Sequence, residues 1–567
     1  MSLSGPTNQA LKGLILNVYP DSMGPHLSDL VTLLEQEDFK DIFSCLYILP
    51  SMFHSDLDRG FSVIDYDLNQ SLVRPEDLER LRTLGVNLKL DIVLNHLSVG
   101  SPEFKDLMRR GDDSPYLDFF IDWNKFWSNQ GTLSDSGVLD PMPDHKQKLF
   151  MRKPGLPVLQ VPFPDHSFRP YWNTFYQKIS LSEEFIEDCK KELEFSQKTS
   201  SDLHQHLSQW LNQGRDPSQL IQSYGSKSDQ IHDLIRRHLK LLGQMDLNAS
   251  YEGVWQYYEK TLSKLKAYGA KIVRLDAFAY LHKAIGATNF FNTPGTWEYL
   301  NRLKTHAADL DMTLLPEIHA QYGKHLHDEV SEHGFPIYDF FLPGLIIHAL
   351  EAQDKEPLLK WAQEIQERGF KLINMLGCHD GIPLLDLDQD PEDENQPGLL
   401  SSGQIESLIE KIVHRGGRIK NLFGPDGQKI AYYQVNATFF SALGEDPLKL
   451  MVARALQLFM PGTPQIWYLD LFAGVNDHEA ADAGPGNHKE INRTNLSVED
   501  IDKKRSMPLV QKQLSLLRTR GNHSAFNGTL NILPSAEHLI VMRWEHENQW
   551  AELKVDLSQM DYSIQVS

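Results

Sequence analysis

The sequence predicts an α/β fold: a (β/α)8 barrel with inserted loop-rich and helical lobes and a small C-terminal β domain. Three observations predict it. Short apolar runs rich in β-branched and aromatic residues alternate with helix-like stretches, the pattern of a parallel sheet covered on both faces. Eight such runs occur, the number that closes a barrel. Several of them end in clusters of carboxylate, arginine, amide and histidine side chains, and a barrel carries its chemistry at the carboxyl ends of its strands. The 567 residues are 41% apolar, 10% aromatic and 23% charged, a balance that fits a large globular chain and excludes disorder, collagen and coiled coil.

In chain order the candidate strands are residues 14–18, 43–49, 88–94, 272–275, 313–316, 336–341, 372–376 and 465–469. The gap between the third and fourth is too long for an ordinary connection. We therefore divide the chain into barrel segments at 1–96, 255–381 and 444–529, an inserted domain at 97–254, a second inserted lobe at 382–443 and a terminal β domain at 530–567. Within the first insertion, about residues 182–242 read as helical: Leu203, Leu207, Trp210 and Leu211 recur at helical spacing, as do Ile231, Leu234, Ile235 and Leu239. These helices are expected to pack as a hairpin and to be peripheral or oligomer-forming; a homodimer is one assembly consistent with them. Val510, Leu514 and Leu517 mark a closing helix, and 538–544 and 549–557 alternate as strands around a turn at 545–548. The acidic run from Asp386 to Glu394 reads as solvated surface rather than a cation site.

Lys plus Arg is 55 and Asp plus Glu is 77, a formal charge of −22. Such a surface repels nucleic acid and anionic membranes. Cys45, Cys189 and Cys378 are odd in number and widely spaced, so they read as reduced thiols rather than a disulfide or zinc framework. The N-terminal residues lack the basic, apolar and small-residue pattern of a signal peptide, and no run of about 18 apolar residues occurs. A soluble cytoplasmic protein is expected.

Arg274 and Asp276 stand two apart on a strand-like run, hence on one face. An adjacent guanidinium keeps a carboxylate ionised, as a carboxylate nucleophile requires; a structural salt bridge explains the pair equally well. Glu317 ends the apolar run Leu314-Leu-Pro, where desolvation raises a carboxyl pKa and fits it to donate a proton. Two carboxyl groups in opposite protonation states are the equipment of retaining glycoside chemistry. The run Cys378-His379-Asp380-Gly381 adds a third carboxylate and is a poor metal site, because Cys and His are adjacent and no second cluster has ligand spacing.

Taken together, Asp91-Ile-Val-Leu-Asn95-His96, Arg274-Leu-Asp276-Ala, Glu317 and His379-Asp380, in this order on successive strands, resemble the alpha-amylase family of glycoside hydrolases. The likeness extends to its sucrose phosphorylase group through Asp58-Arg-Gly-Phe61, Tyr280, Glu317-Ile-His319, Tyr433-Gln434-Val-Asn436 and Ile491-Asn-Arg493. The resemblance implies a retaining α-glucoside phosphorylase acting on sucrose or a related small glucoside and on inorganic phosphate, with α-glucose 1-phosphate as product. It implies Asp276 as nucleophile, Glu317 as general acid/base and Asp380 as the carboxylate that holds the sugar hydroxyls. Asp58, His96, Arg274, His379 and Arg493, with His319 and Gln434, would bind the glucosyl unit, and Phe61 and Tyr280 would form an aromatic platform. No cofactor or metal is called for.

Two departures concern the acceptor. Met151-Arg152-Lys153-Pro154 resembles the loop that presents an arginine to phosphate, but Lys153 stands at the arginine position and Arg152 where proline is usual. A lysine binds phosphate without the bidentate fork of arginine. Beside Tyr433, which the resemblance assigns to the acceptor site, Ala431 replaces the aspartate that contacts fructose. Glucosylglycerol, glucosylglycerate and sucrose 6'-phosphate thus stand beside sucrose as candidate substrates: paired cations suit an anionic leaving group and the missing aspartate a smaller one. A hydrolase or transglucosidase with the same intermediate, and a non-catalytic sugar-binding barrel, are the competing readings.

Overall fold

The computed structural model describes residues 11–152, 155–423, 429–484 and 487–567. Its centre is an eight-stranded parallel sheet whose strands we number β1 Ile15–Val18, β2 Cys45–Ile48, β3 Asn87–Val93, β4 Ala270–Asp276, β5 Thr313–Pro316, β6 Ile337–Asp339, β7 Leu372–Met375 and β8 Thr463–Trp467. All eight overlap the runs expected from sequence; β4 is longer at both ends, and β8 is shifted two residues toward the N-terminus. Spatial order is β5-β4-β3-β2-β1-β8-β7-β6, which is chain order around a ring. β5 and β6 lie side by side without a hydrogen-bonded ladder, so the barrel is closed except at one seam.

The runs are continuous because both faces are covered: Leu16, Val18, Leu46 and Ile48 are all fully buried, each contributing about 1.5–3 kcal/mol of burial. β3 shows how a polar interior is written into such a strand. Leu88, Leu90 and Ile92 alternate with Lys89 and Asp91, every one of them buried, so the apolar set faces the outer helices and the charged set the barrel axis. The register Arg274↔Asp91 between β4 and β3 then sets the two charges side by side. The helix Glu252–Tyr268 buries Val254, Trp255, Tyr258, Leu262 and Leu265 along one face and stops at Gly269. That glycine has φ 106, a left-handed cap closed to most side chains, and it turns the chain directly into β4.

Between β2 and β3 the hairpin Phe53–Ser55/Val63–Leu68 leans over the barrel mouth. The insertion after β3 begins with the strand His96–Ser98, which pairs with Leu239–Asp246, itself paired with Gln177–Leu181. Leu239 therefore opens a strand instead of ending a helix; its backbone pairs with Leu181. The expected helices are Gln197–Asn212 and Ser228–His238, and each packs on a third helix, Glu184–Leu193, instead of forming a simple hairpin with each other. Arg237 and His238 bind Glu192 and Asp188 of that third helix. The terminal domain is a four-stranded antiparallel sheet of Thr529–Ile532, Leu539–His546, Gln549–Asp556 and Asp561–Val566. It is tied to the barrel by Lys355 Nζ, which donates to the carbonyls of Ala536 at 2.7 Å and Leu539 at 2.9 Å.

A buried charge pair fastens the first insertion to the barrel. Lys283, just beyond β4, places Nζ 2.8 Å from Asp246 Oδ2, 2.8 Å from Asn95 Oδ1 and 2.8 Å from the Tyr280 carbonyl. Asp246 also accepts from Thr174 N and Asn95 Nδ2. The three cysteines are buried free thiols. Among the described residues no helix is long and apolar enough to cross a membrane.

Candidate active site

The carboxyl ends of the strands open into a cavity of about 1570 Å3. β4 delivers Arg274 and Asp276 to its floor. The next residue, Ala277, has φ 51, a left-handed conformation that costs a non-glycine residue about 1–3 kcal/mol and persists only where the surroundings enforce it. The chain then folds back so that Tyr280, in the turn Phe278–Tyr280, also lines the cavity. Arg274, 1% exposed, is the hub. Its Nη1 lies 2.6 Å from Asp91 Oδ1 and 3.0 Å from Asp276 Oδ1, and its Nη2 lies 2.6 Å from Glu317 Oε1. Tyr47 donates its hydroxyl to the same Asp91 oxygen at 3.0 Å. Glu317, directly after β5, donates its backbone N–H to the Leu275 carbonyl. Asp276 and Glu317 thus sit on adjacent strands, at the two arms of one guanidinium, both lining the cavity.

The protonation order differs from the one expected from sequence. Burial first, and then the charges of Glu317, Asp91 and Asp380, push Asp276 well above the usual carboxylate range despite Arg274. Burial works the same way on Glu317, but Arg274 and His319 outweigh it and hold that carboxyl well below its usual range. The reason is arithmetic: three carboxylates face one guanidinium, and Glu317 has the closer share of it than Asp276.

A second cluster lies across the cavity. Lys489 Nζ is 2.6 Å from Asp380 Oδ1 and 3.5 Å from Asp58 Oδ2; Arg493 Nη1 is 3.0 Å from Asp58 Oδ1, and its Nε donates to the His379 carbonyl. Against the effect of burial, Lys489, His379 and Arg493 hold Asp380 well below the usual carboxylate range, and Lys489 and Arg493 bring Asp58 to about 2. Both are anions at neutral pH. His379 and His96 are the opposite case, since burial lowers them to about 3 and about 4 and keeps the rings neutral. The His96 Nε2–H donates to the Phe61 carbonyl at 3.1 Å, leaving Nδ1 as an acceptor with no hydrogen-bond partner among the described residues.

Phe61 stacks flat on His379, with centroids 4.9 Å apart and planes at 13°. Tyr280 belongs to a separate group with Phe175, Phe150 and Phe290. The sequence expected one aromatic platform; the structure has two aromatic walls, because Phe61 arrives on the hairpin after β2 and Tyr280 on the turn after β4. Arg152 lies over Phe175 and Tyr280 at 5.7 and 5.8 Å. His319 is stacked on Phe340 and bound through Nδ1 to Asp386 at 2.9 Å. Gln434 accepts the Gly381 N–H at 3.0 Å. Of the residues expected from sequence, Asp58, Phe61, His96, Arg152, Asp276, Tyr280, Glu317, His319, His379, Asp380, Gln434 and Arg493 line this one cavity, with Arg274 behind the two carboxyls. Lys153 and the Tyr433 side chain lie outside the described residues.

Along its length the chain is 50% identical to the sucrose 6(F)-phosphate phosphorylase of Ilumatobacter coccineus, over 97% of this chain and 95% of that protein. It belongs to the sucrose phosphorylase group of the alpha-amylase family. A sucrose phosphorylase of Streptococcus mutans is 27% identical over 97% of this chain and 96% of its own. The crystal structure of sucrose 6F-phosphate phosphorylase from Thermoanaerobacter thermosaccharolyticum superposes with a TM-score of 0.79 at 29% identity, covering 99% of this chain and 97% of that one. No protein-family profile matches the chain.

Three residues of this family member's cavity gave no signal strong enough to be chosen from sequence. Lys489 sits in the turn Asn487–Asn492, four positions before Arg493; its nearness to the Ile491-Asn-Arg493 motif was the only available pointer. Asp386 belongs to the acidic run that reads as solvated, yet it is buried while Glu392 and Glu394 are exposed. Its leucine neighbours Leu384, Leu385 and Leu387 distinguish it. Lys420, on the strand Arg418–Phe423, lines the cavity with Arg152 and Lys489. Burial, followed by the charges of those two cations, holds its ammonium well below the usual lysine range.

Proposed function

We propose that the protein is a retaining glucoside phosphorylase whose substrate is sucrose 6'-phosphate, cleaved by inorganic phosphate to α-glucose 1-phosphate and fructose 6-phosphate. One observation carries the choice of an anionic leaving group: Arg152, Lys420 and Lys489 all line one cavity, Lys489 already bound to Asp380. Several cations on one wall favour an anionic ligand, and both the phosphosugar and the attacking phosphate supply one. The 50% identity to a sucrose 6(F)-phosphate phosphorylase supports the same reading.

The glucosyl unit enters with C1 facing Asp276. Asp380 and Asp58, held as anions, accept hydrogen bonds from sugar hydroxyls, while neutral His96 offers Nδ1 as a further acceptor. Phe61, backed by His379, covers an apolar sugar face. The glycosidic oxygen comes to lie beside Glu317, and its departure requires the proton of the pair on Glu317, not on Asp276. The Asp276 carboxylate, steadied by Arg274 Nη1, then attacks C1 as the C1–O bond breaks, and Glu317 delivers its proton to the leaving oxygen. A phosphate oxygen attacks C1 of the glucosyl ester from the vacated side, Glu317 takes the proton it releases, and Asp276 departs. Two inversions give net retention, as for a closely spaced carboxyl pair, about 5–5.5 Å apart.

The test is a direct one. Purified enzyme is given sucrose 6'-phosphate or sucrose, with and without phosphate, and the sugar phosphate formed is identified by 31P and 1H NMR. The expected result is α-glucose 1-phosphate, with kcat/KM at least tenfold higher for the phosphorylated disaccharide. Release of free glucose in phosphate buffer, a β anomer, or equal use of sucrose overturns the proposal.

A further inference from the structure

The first insertion contains a second cluster of chemistry-bearing side chains that takes no part in the reaction above. We propose that His166, His232 and Asp233 form a zinc site that clamps the insertion's last helix to the hairpin Val158–Pro162/Phe168–Trp172. None of the three lines the catalytic cavity, so the inference stands whatever the enzyme's substrate.

The site begins in the helix Ser228–His238. Asp229, His232 and Asp233 are spaced i, i+3 and i+4 and so share a face. His166, at the tip of the facing hairpin, lies over that face. One candidate ligand atom from each of His166, His232 and Asp233 falls within 4.8 Å of the other two. A tetrahedral zinc ion with bonds of about 2.0–2.1 Å needs ligand atoms about 3.3 Å apart. His166 Nε2 and Asp233 Oδ1 are already 3.4 Å apart, and His232 offers its ligand atom within 4.8 Å of both.

His232 decides the matter. It is 2% exposed; neither of its ring nitrogens makes a well-formed hydrogen bond within the described residues, its polar contact being with the backbone of Ser167. A buried imidazole nitrogen left without a full partner costs about 1–3 kcal/mol. A metal bond to one nitrogen removes that cost. His166 is already set as a ligand: its other nitrogen, Nδ1, is 3.2 Å from Asp229 Oδ1, the outer carboxylate that orients and strengthens a metal-binding histidine. Two imidazoles and a carboxylate, with a water completing the tetrahedron, favour zinc over calcium or magnesium, which take oxygen ligands.

A second cluster, His325, His327 and Asp328, meets the same spacing. There, however, Arg368 Nη2 is 2.8 Å from Asp328 Oδ1, so the positive charge is already supplied. Among the described residues no lysine or arginine is paired with Asp229 or Asp233, whose ionic partner is His166.

The full-length protein is stripped with a chelator and titrated with zinc chloride by calorimetry and by competition with a chromophoric chelator, with magnesium and calcium chlorides as controls. One zinc per chain is expected, accompanied by a rise in Tm. His166→Asn, which keeps a residue tolerant of the left-handed backbone at φ 65, and the exposed Asp233→Asn should each weaken binding at least tenfold without lowering the metal-free Tm. Asp229→Asn should weaken it about 10–100-fold if it acts as the orienting carboxylate. Zinc bound with unchanged affinity by both His166→Asn and Asp233→Asn, or no Tm response in the unmodified protein, overturns the proposal.

Discussion

Two buried ionic clusters lie within one turn of chain from each other, and they are built to opposite rules. Around Asp246, one carboxylate meets one ammonium, and Thr174 and Asn95 saturate what remains. Around Arg274, one guanidinium meets three carboxylates. The first is balanced and holds an insertion in place. The second has more carboxyls than guanidinium to meet them, and burial together with that excess negative charge pushes Asp276 up. Both clusters are buried; the balance of charge within each is what separates them.

Neutralising Asp276 is the largest way to break the contrast. Asp276→Asn should lower kcat by about 10^4-fold or more, as loss of a nucleophile does elsewhere, read as α-glucose 1-phosphate formed per folded molecule. The balanced cluster predicts the reverse profile. Lys283→Met strands a buried carboxylate and should cost about 3–5 kcal/mol of stability, measured by urea unfolding, and Asp246→Asn in the same chain should recover part of the loss. Next comes Lys420→Met, which removes a charge-assisted contact worth about 1.5–3 kcal/mol, or about 10–100-fold in kcat/KM for the anionic substrate. Because the Lys420 pKa is lowered, its charge is present below that value and is lost as pH rises through it. Phosphate should therefore bind less well as pH rises through that lowered value, and Lys420→Arg should move the limb upward. The smallest effect sharpens the comparison most. Asp276 is raised above its unfolded value of about 3.9, so the folded state pays for its ionisation at neutral pH and not below about pH 4. Asp276→Asn should thus raise Tm at pH 7 by about 1–2 °C, with the gain fading on acidification.

The eight barrel strands were legible because a strand covered on both faces must be apolar throughout, and runs such as Leu14 to Val18 have no other use. The candidate nucleophile was legible because strand periodicity puts Arg274 and Asp276 on one face. What stayed hidden depends on contacts between segments far apart in sequence. Lys283 and Asp246 are 37 positions apart and carry no shared motif. Lys420 and Lys489 arrive on segments whose patterns report local structure and nothing about the cavity. Asp386 was concealed inside an acidic run whose other members do face solvent. The direction of the Glu317 shift was unreadable in principle, since Glu317 alone at the end of an apolar strand predicts a raised pKa, and only Arg274 and His319, brought in by the fold, reverse it.

The unzipped seam gives Asp276 and Glu317 unequal mechanical footing. β4 is laced to neighbours on both sides, so Asp276 stands on a doubly braced beam. β5 is laced on one side only, which leaves Glu317 on the cantilevered stave; under the proposed roles the group that must exchange a proton is the one on the less braced strand.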